Sequence, residues 1–502
     1  ACTRSTRSSR RSELPASMIR TGRAQAIRAM RRRIGLCTVA FACAVAPTIV
    51  RAEALKGALA RAYANSPALN QQRAGLRALD ENIPKARAGF LPKVSAGAYA
   101  GPSYVYQRDA VPRAPQIADA VAAGMDPPPP PEGAKIRSVP RGYGVSFSQS
   151  VFDGFATVNT LRQAESQVFQ GREDLRTVEQ DTLLGAATAY LDVLRDAAVL
   201  QLRTANVEVL KRQVAQTRSL GSVGQVTETD IAQAEAALQQ GRTDYFASRS
   251  VLQTSRAART ETTKHNGELR MPAPSVEAML PAKLTQAIEI GEREHPAIAA
   301  ALHAADAASA GINVAKAALY PTASIVGAVN RDLDAGAMTG AKSFSVGLFG
   351  QINVPLYQGG MEYASIRQAK ELAGQSRLMV DLQRNQVRAD LTTAWGRLEA
   401  AKPQISATRA AVTAAEVALA GVRGEALVGQ RTTFDILVAQ QNLLNTRVAH
   451  VQAQRDRIVA SYAILAAIGR LSASTLGLEP GTYDPTIHYK QVKGRLFGTE
   501  PP

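Results

Sequence analysis

From Val380 to Val422 apolar residues recur in a three-and-four rhythm: Val380, Val387, Leu391, Ala394, Leu398, Ala401, Ile405, Val412, Ala415, Leu419 and Val422. Thr408 is the single polar member. Spacing of this kind, sustained over six heptads, describes a helix that winds around a neighbour. The many alanines let neighbouring backbones come close. The pattern begins near Tyr363, after Gly359-Gly360, and ends near Gly429, a rod of roughly 100 Å. Pro403 predicts a bend rather than a stop, because the seam keeps its phase on both sides.

The chain is written twice, and the repeat sets the order of elements. Tyr63-Ala64-Asn65-Ser66-Pro67-Ala68-Leu69 recurs 229 positions later as Glu292 to Ile298 around His295-Pro296. Gly89-Phe90-Leu91-Pro92 matches Ala318-Leu319-Tyr320-Pro321 at the same offset. Further on the offset drops to 205: Phe152-Asp153-Gly154 matches Tyr357-Gln358-Gly359, and Ala189-Tyr190 matches Ala394-Trp395. Gly224-Gln225 with Thr229-Asp230-Ile231 matches Gly429-Gln430 with Phe434-Asp435-Ile436. The difference of 24 residues is an insertion near Arg108 to Arg137. It holds Pro127 to Pro131 and reads as an extended loop.

Each copy predicts a first helix, two strands, a long helix, a tight break and a further long helix. The first helices span about Glu53–Ala88 and Ala282–Ala318 and stop at Pro92 and Pro321. In the second strand of copy one, Tyr143, Val145, Phe147 and Val151 alternate with Gly142, Gly144, Ser146, Ser148 and Ser150. Copy two sets Phe344, Val346, Leu348, Ile352 and Val354 against Ser345, Gly347, Gln351 and Asn353. The first strands place Val94, Ala96, Ala98 and Ala100, or Ala323, Ile325 and Val329, on one side. The seam of the first long helix runs through Ala186, Ala189, Val193, Leu200, Val207, Leu210 and Val214, interrupted by Asp196 and Arg203.

Two architectures fit the alternating strands. A sheet in a soluble protein packs its apolar side on a core; a membrane barrel turns it to lipid and its Gly/Ser/Asn side to water. Strands of about 10 to 12 residues suffice for a tilted crossing. Four strands cannot close around a channel, so a barrel requires strands from several chains, and three chains would supply twelve.

Charge alters this picture little. The net +17 is concentrated in the first 52 residues, which hold eleven Arg and one acid, Glu13, leaving +7 for the rest. With 5% aromatics and no aromatic–basic interleaving, nucleic acid is not an expected partner. Met30-Arg31-Arg32-Arg33, the apolar run Ile34 to Val50 and Val50-Arg51-Ala52 read as a signal peptide cleaved before Glu53. Cys2, Cys37 and Cys43 all precede that site, so the mature chain has no disulfide and no Cys-ligated metal. An exported chain with no further long apolar run is periplasmic or crosses a membrane as strands. The expected segments are therefore 1–29 (upstream or disordered), 30–52 (signal), 53–280 (first repeat), 281–478 (second repeat) and 479–502 (tail).

No catalytic constellation emerges: the five His are scattered, and neither G-x-S-x-G nor Walker A occurs. His303 and Asp306, one helical turn apart, read as a surface contact. Such a chain is not expected to be an enzyme or to hold a cofactor, and any energy must come from a partner. At the helix breaks, Val428-Gly429-Gln430-Arg431-Thr432-Thr433-Phe434-Asp435 and Val223-Gly224-Gln225-Val226-Thr227-Glu228-Thr229-Asp230, Gly ends one helix and Thr caps the next.

The doubled plan, Asn65-Ser66-Pro67 with His295-Pro296, the strand exits at Gly154, Gly359 and Gly360, and the paired Val-Gly-Gln turns resemble the TolC family of outer-membrane channel proteins from Glu53 to Leu478. Ala54-Leu55-x-x-Ala58-Leu59-Ala60-x-Ala62-Tyr63 and the tail Tyr483-Asp484-Pro485 with His488-Tyr489 are most similar to the members that serve type I protein secretion. The resemblance implies a mainly α homotrimer with a β-barrel part: a twelve-stranded outer-membrane barrel in lipid, continued by a periplasmic α-helical barrel. It implies a periplasmic adaptor and an inner-membrane ABC transporter or proton-driven pump as partners. Asp230, Arg431 and Asp435 match positions that constrict the periplasmic entrance in the family, and the tips around Val223, Gly224, Thr227, Val428, Gly429 and Thr432 are where an adaptor would dock. Pro92, Pro321, Gly154, Gly359 and Gly360 form the helix–strand turns. Ala426 and Val438 depart from the family's aromatic and acidic gate positions. Drug or metal efflux is the alternative to secretion, and a soluble periplasmic coiled-coil scaffold is a further one.

Overall fold

The computed structural model describes residues 55–107, 114–126, 134–263, 276–334, 340–478 and 483–501. The expected upstream segment 1–29, the signal segment 30–52 and Pro127 to Pro131 lie outside them. The first copy comprises α1 (Leu55–Asn65), α2 (Pro67–Asp80), α3 (Asn82–Arg87), β1 (Lys93–Ala100), β2 (Ser103–Gln107), α4 (Ala114–Ala122), β3 (Ala134–Ser138), β4 (Arg141–Phe152), α5 (Ala156–Ser222) and α6 (Glu228–Thr263). The second comprises α7 (Leu284–Glu294), α8 (Pro296–Ala317), β5 (Thr322–Leu333), β6 (Lys342–Asn353), α9 (Met361–Leu427) and α10 (Thr433–Ala467), followed by the tail helix α11 (Thr486–Val492).

Three expectations are corrected. The first helix of each copy is not continuous: it breaks at Ser66-Pro67 and at His295-Pro296. Proline lacks an N–H and suits the first helical position, so each break restarts a helix with its own cap. Ser66 Oγ accepts from Leu69 N at 3.4 Å, and His295 Nδ1 accepts from Ala297 N at 3.2 Å. The insertion in copy one is not simply an extended loop: β2 and β3 pair antiparallel and α4 lies between them. Long apolar windows also recur beyond the signal segment, within Leu284–Ala317 and Met361–Leu427, because both stretches are rich in alanine.

The long seam is buried as the pattern requires. On the 67 residues of α9, about 100 Å long, Val380, Val387, Leu391, Ala394, Leu398, Ala401, Ala415 and Leu419 are buried. Helix α9 runs through Pro403 without interruption. It packs on α10 and α8, while α5 packs on α6, α8 and α10. Polar members of the seams are paired. Thr408 Oγ1 lies 3.1 Å from His450 Nδ1 on α10. Asp196 on α5 bonds Arg195 at 2.8 Å and the hydroxyl of Ser255 on α6, and Arg203 pairs with Asp244 of α6. The main core lies near the midpoints of α5 and α9, where Tyr190 and Leu391 meet Leu55, Leu59, Leu69 and Leu465.

The four long strands form one antiparallel sheet in the order β1-β4-β5-β6. Strand β1 spans only eight residues, and the β4–β5 register slips at Ser150/Phe152, a bulge beside Val151. One side carries Val94, Tyr143, Val145, Val329, Phe344, Val346, Leu348 and Ile352, and it packs on no core: Phe344, Leu348 and Ile352 are 70%, 72% and 74% exposed. The other side is polar, with Ser95 and Ser146 hydroxyls 2.7 Å apart and the Tyr99 hydroxyl donating to Asp332 at 2.9 Å. Glycine alternates on that side for space. A Cβ on Gly142 would meet Tyr99 Cε1 at 2.7 Å, and one on Gly144 would meet the side-chain oxygen of Asn330 at 2.1 Å.

Leu391 is fully buried, so Leu391→Ala is expected to cost about 2–5 kcal/mol, read as a lowered denaturation midpoint by circular dichroism. His295 gives a second expectation. Burial pushes its pKa below the ordinary 6.5, the nearby Asp390 opposing this only in part. A depressed imidazole contributes stability that is present above about pH 6.5 and lost as pH falls. His295→Ser, which copies Ser66, should keep the cap and abolish that acid-side loss in melts between pH 7.5 and 5.

Candidate functional site

The features that the sequence singles out fall into two groups at opposite ends of the long helices. Where strands enter helices, Gly154 and Phe155 both adopt left-handed backbone, φ 66° and 68°, and the equivalent Gly359 and Gly360 take 69° and 83°. Two left-handed residues in succession turn the chain sharply, which favours glycine; Phe155 occupies such a position with its ring edge-on to Phe152 at 5.2 Å. A Cβ on Gly154 would meet Ala317 O at 2.7 Å, so the strand exit of copy one packs against the helix end that precedes Pro321. Pro92 and Pro321 immediately precede β1 and β5.

At the far ends, both helix tips close with the same bonds. Gly224 N donates to Gly221 O at 3.0 Å and Gln225 N to Leu220 O at 3.0 Å; Gly429 N donates to Ala426 O at 3.1 Å and Gln430 N to Glu425 O at 2.9 Å. Both glycines are left-handed, φ 75° and 80°, the arrangement of a Schellman cap. The following helices open on reciprocal caps. Asp230 N and Asp435 N donate to the Thr227 and Thr432 hydroxyls at 3.3 Å, while Thr227 N and Thr432 N donate to the aspartate carboxylates at 3.0 Å. The Thr227 hydroxyl and backbone N–H lower the Asp230 pKa, and the Thr432 backbone N–H and hydroxyl lower that of Asp435.

The tips differ in one respect that the sequence reading missed. Arg431 Nε pairs with Glu425 Oε2 at 2.8 Å across the second turn, where the first tip has Val226 and Leu220. The ion pair raises the Arg431 pKa, Glu425 being the chief cause. The repeat offset carried the signal: an acid and a base appear together at positions apolar in the other copy. Val223, Leu427 and Val428 are 67%, 83% and 71% exposed, so each tip also presents apolar surface. Within this chain, then, Asp230 and Asp435 act as caps and Arg431 is held by Glu425. Away from the tips, His303 lies 3.8 Å from Asp306 and beside the Phe169 ring. Among the described residues, no three His, Cys, Asp or Glu side chains gather as a metal site.

A sheet with an exposed apolar side, joined to helices about 100 Å long with capped tips, is the plan of an outer-membrane channel protein. The chain belongs to the outer membrane efflux protein family, which it matches over residues 58–259 and 289–470, the family of the TolC channels. It is 37% identical over 452 residues to the outer membrane efflux protein BepC of Brucella suis, covering 90% of this chain and 92% of BepC. It is 25% identical over 453 residues to TolC of Escherichia coli, covering 86% and 85% of the two chains. The fold matches the Campylobacter jejuni CmeC outer membrane channel with a TM-score of 0.69 at 16% identity, covering 89% and 90%. The chain is accordingly a transport protein of the outer membrane that extends into the periplasm, and the family is one of channels, not enzymes.

The tip bonds give a direct expectation. Gly429→Ala forces a Cβ into the left-handed region, a cost of about 1–2 kcal/mol, and Thr432→Ala removes a cap worth about 1 kcal/mol. Amide hydrogen exchange around residues 425–436 should accelerate severalfold in each variant while exchange near Leu391 stays unchanged.

Proposed function

We propose that the chain is one third of an exit duct: three copies close a twelve-stranded barrel in the outer membrane, and their long helices continue it as a periplasmic tunnel. The carrying observation is the four-stranded sheet, whose apolar side packs on no core and whose edges, β1 and β6, are both open among the described residues. Neither feature is stable in water. Lipid would cover the apolar side and neighbouring copies would pair the edges. Apolar residues exposed on α9, among them Leu378, Leu382 and Val417, supply helix faces for the same neighbours.

Energy and cargo come from partners, a periplasmic adaptor that meets the tips around Val223, Gly224, Thr227, Val428, Gly429 and Thr432 and an inner-membrane pump behind it. Threefold symmetry brings three copies of Asp230, Arg431 and Asp435 together at the entrance, where they gate it. The Arg431–Glu425 pair is half exposed on both sides, and exposed pairs contribute at most about 1 kcal/mol each, so docking can exchange it. Efflux is the role favoured by the likeness to the outer membrane efflux protein BepC. Type I protein secretion, with an ABC transporter behind the adaptor, is favoured by a second observation. The two segments that resemble secretion members meet: Tyr483 N donates to the Tyr63 hydroxyl at 3.0 Å, and the tail is further held where His488 on α11 reaches Asp80 at the end of α2 at 3.0 Å.

Purified protein should conduct ions across planar bilayers, and Arg431→Ala and Asp435→Ala should each raise single-channel conductance. Unchanged conductance in both would remove these residues from the gate. A deletion strain tested for drug sensitivity and for loss of a secreted protein separates the two cargoes.

A further inference from the structure

The apolar side of the sheet ends in a row of cations. Strand alternation places Arg141 of β4, Arg331 of β5 and Lys342 of β6 on the same side as Tyr143, Val145, Val329, Phe344 and Val346. Tyr143 and Phe344 both pair with Arg331, and Arg141 and Lys342 both pair with Leu333. Adjacent strands lie about 4.8 Å apart and same-side residues of one strand about 7 Å apart, so the three cations span roughly the width of a single lipid head group. They sit at the sheet end remote from the long helices, where β4 and β6 begin and β5 closes. In an outer-membrane protein whose helices enter the periplasm, that end meets the outer leaflet.

Among the described residues, local acids pair with only one member of the row, Arg141. Asp334 lies 3.8 Å from Arg141, which is 60% exposed. Asp332 is on the opposite side of the sheet and receives the Tyr99 hydroxyl. Arg331 and Lys342 are exposed, with no carboxylate in ion-pair reach among the described residues. A lipid-facing cation costs about 2–4 kcal/mol at the bilayer midplane but little at the interface, so its tolerated place is this rim. Tyr143 and Phe344, one step inward, mark the level at which aromatic rings meet head groups.

We propose that Arg141, Arg331 and Lys342 form a binding site for the phosphate groups of the phosphorylated glycolipid of the outer leaflet. Arginine forks match phosphate oxygens bidentately, and the apolar strip beneath, from Val145 to Val346, takes the acyl chains. The site rests on the reading of the sheet as a barrel wall.

The test uses full-length protein in zwitterionic phosphatidylcholine nanodiscs, titrated with lipopolysaccharide, with enzymatically dephosphorylated lipopolysaccharide or with inorganic phosphate. A triple variant, R141Q/R331Q/K342Q, is compared with wild type and with R218Q, a helix-borne control. Each basic residue near a membrane surface contributes roughly fivefold, about a hundredfold for three. Wild type and R218Q should bind lipopolysaccharide alike, and both loss of the lipid phosphates and the triple substitution should weaken binding by that factor. Equal binding of the two lipids by wild type, or unweakened binding by a triple variant that still conducts ions, overturns the site and leaves the duct intact. Tight binding of inorganic phosphate overturns the lipid as its occupant. Failure of wild type to conduct overturns the barrel reading itself.

Discussion

Everything in this chain depends on a sheet too narrow to close. Four antiparallel strands leave two edges of unpaired backbone groups, β1 and β6, and an open edge is intolerable in hydrocarbon. The sheet's own side chains oppose an escape into water, because among the described residues nothing covers the side bearing Leu348 and Ile352. On the proposed reading, one constraint dictates both the environment, lipid, and the association, with copies of the same chain. The polar side follows from the same logic. Its glycines and serines leave room for Tyr99, Asn330 and Asp332, which in the proposed barrel would project into a wet interior.

The helices carry the second half of that logic. A seam of small and branched residues fixes α9 against α10 and α8, and the polar residues that interrupt the seams find partners across helix pairs, Thr408 in His450 and Arg203 in Asp244. Burying the chief core near the middle of α5 and α9 leaves both extremities less firmly held. Only small clusters, such as Ala415, Leu419 and Leu443, stabilise the approach to the tips. Local opening is therefore cheapest at the tips, which is where a gate is useful.

Much of this was legible in the sequence, and the reasons are specific. The seam from Val380 to Val422 could be read because a buried helix stripe must repeat, and the strands could be read because one side is apolar and the other holds Gly and Ser. The internal repeat marks both tips, at Gly224-Gln225 and Gly429-Gln430. What escaped was governed by single residues in context. Ser66-Pro67 and His295-Pro296 look like helix interiors by periodicity, yet each restarts a helix because proline cannot donate and its predecessor can cap. The insertion's β2–β3 pairing was hidden because proline-rich flanks mask a short register. Glu425 was passed over because its pairing with Arg431 spans a turn, and only the fold brings positions six apart together. Asp230 and Asp435 were legible as caps; the gating proposed for them would need neighbouring copies.

The central claim is that the sheet becomes a wall only when copies meet. Its most direct measurement is the mass of the detergent-solubilised particle by sedimentation with the bound detergent subtracted. The account predicts three chains per particle, whereas a stable particle of a single chain would contradict it.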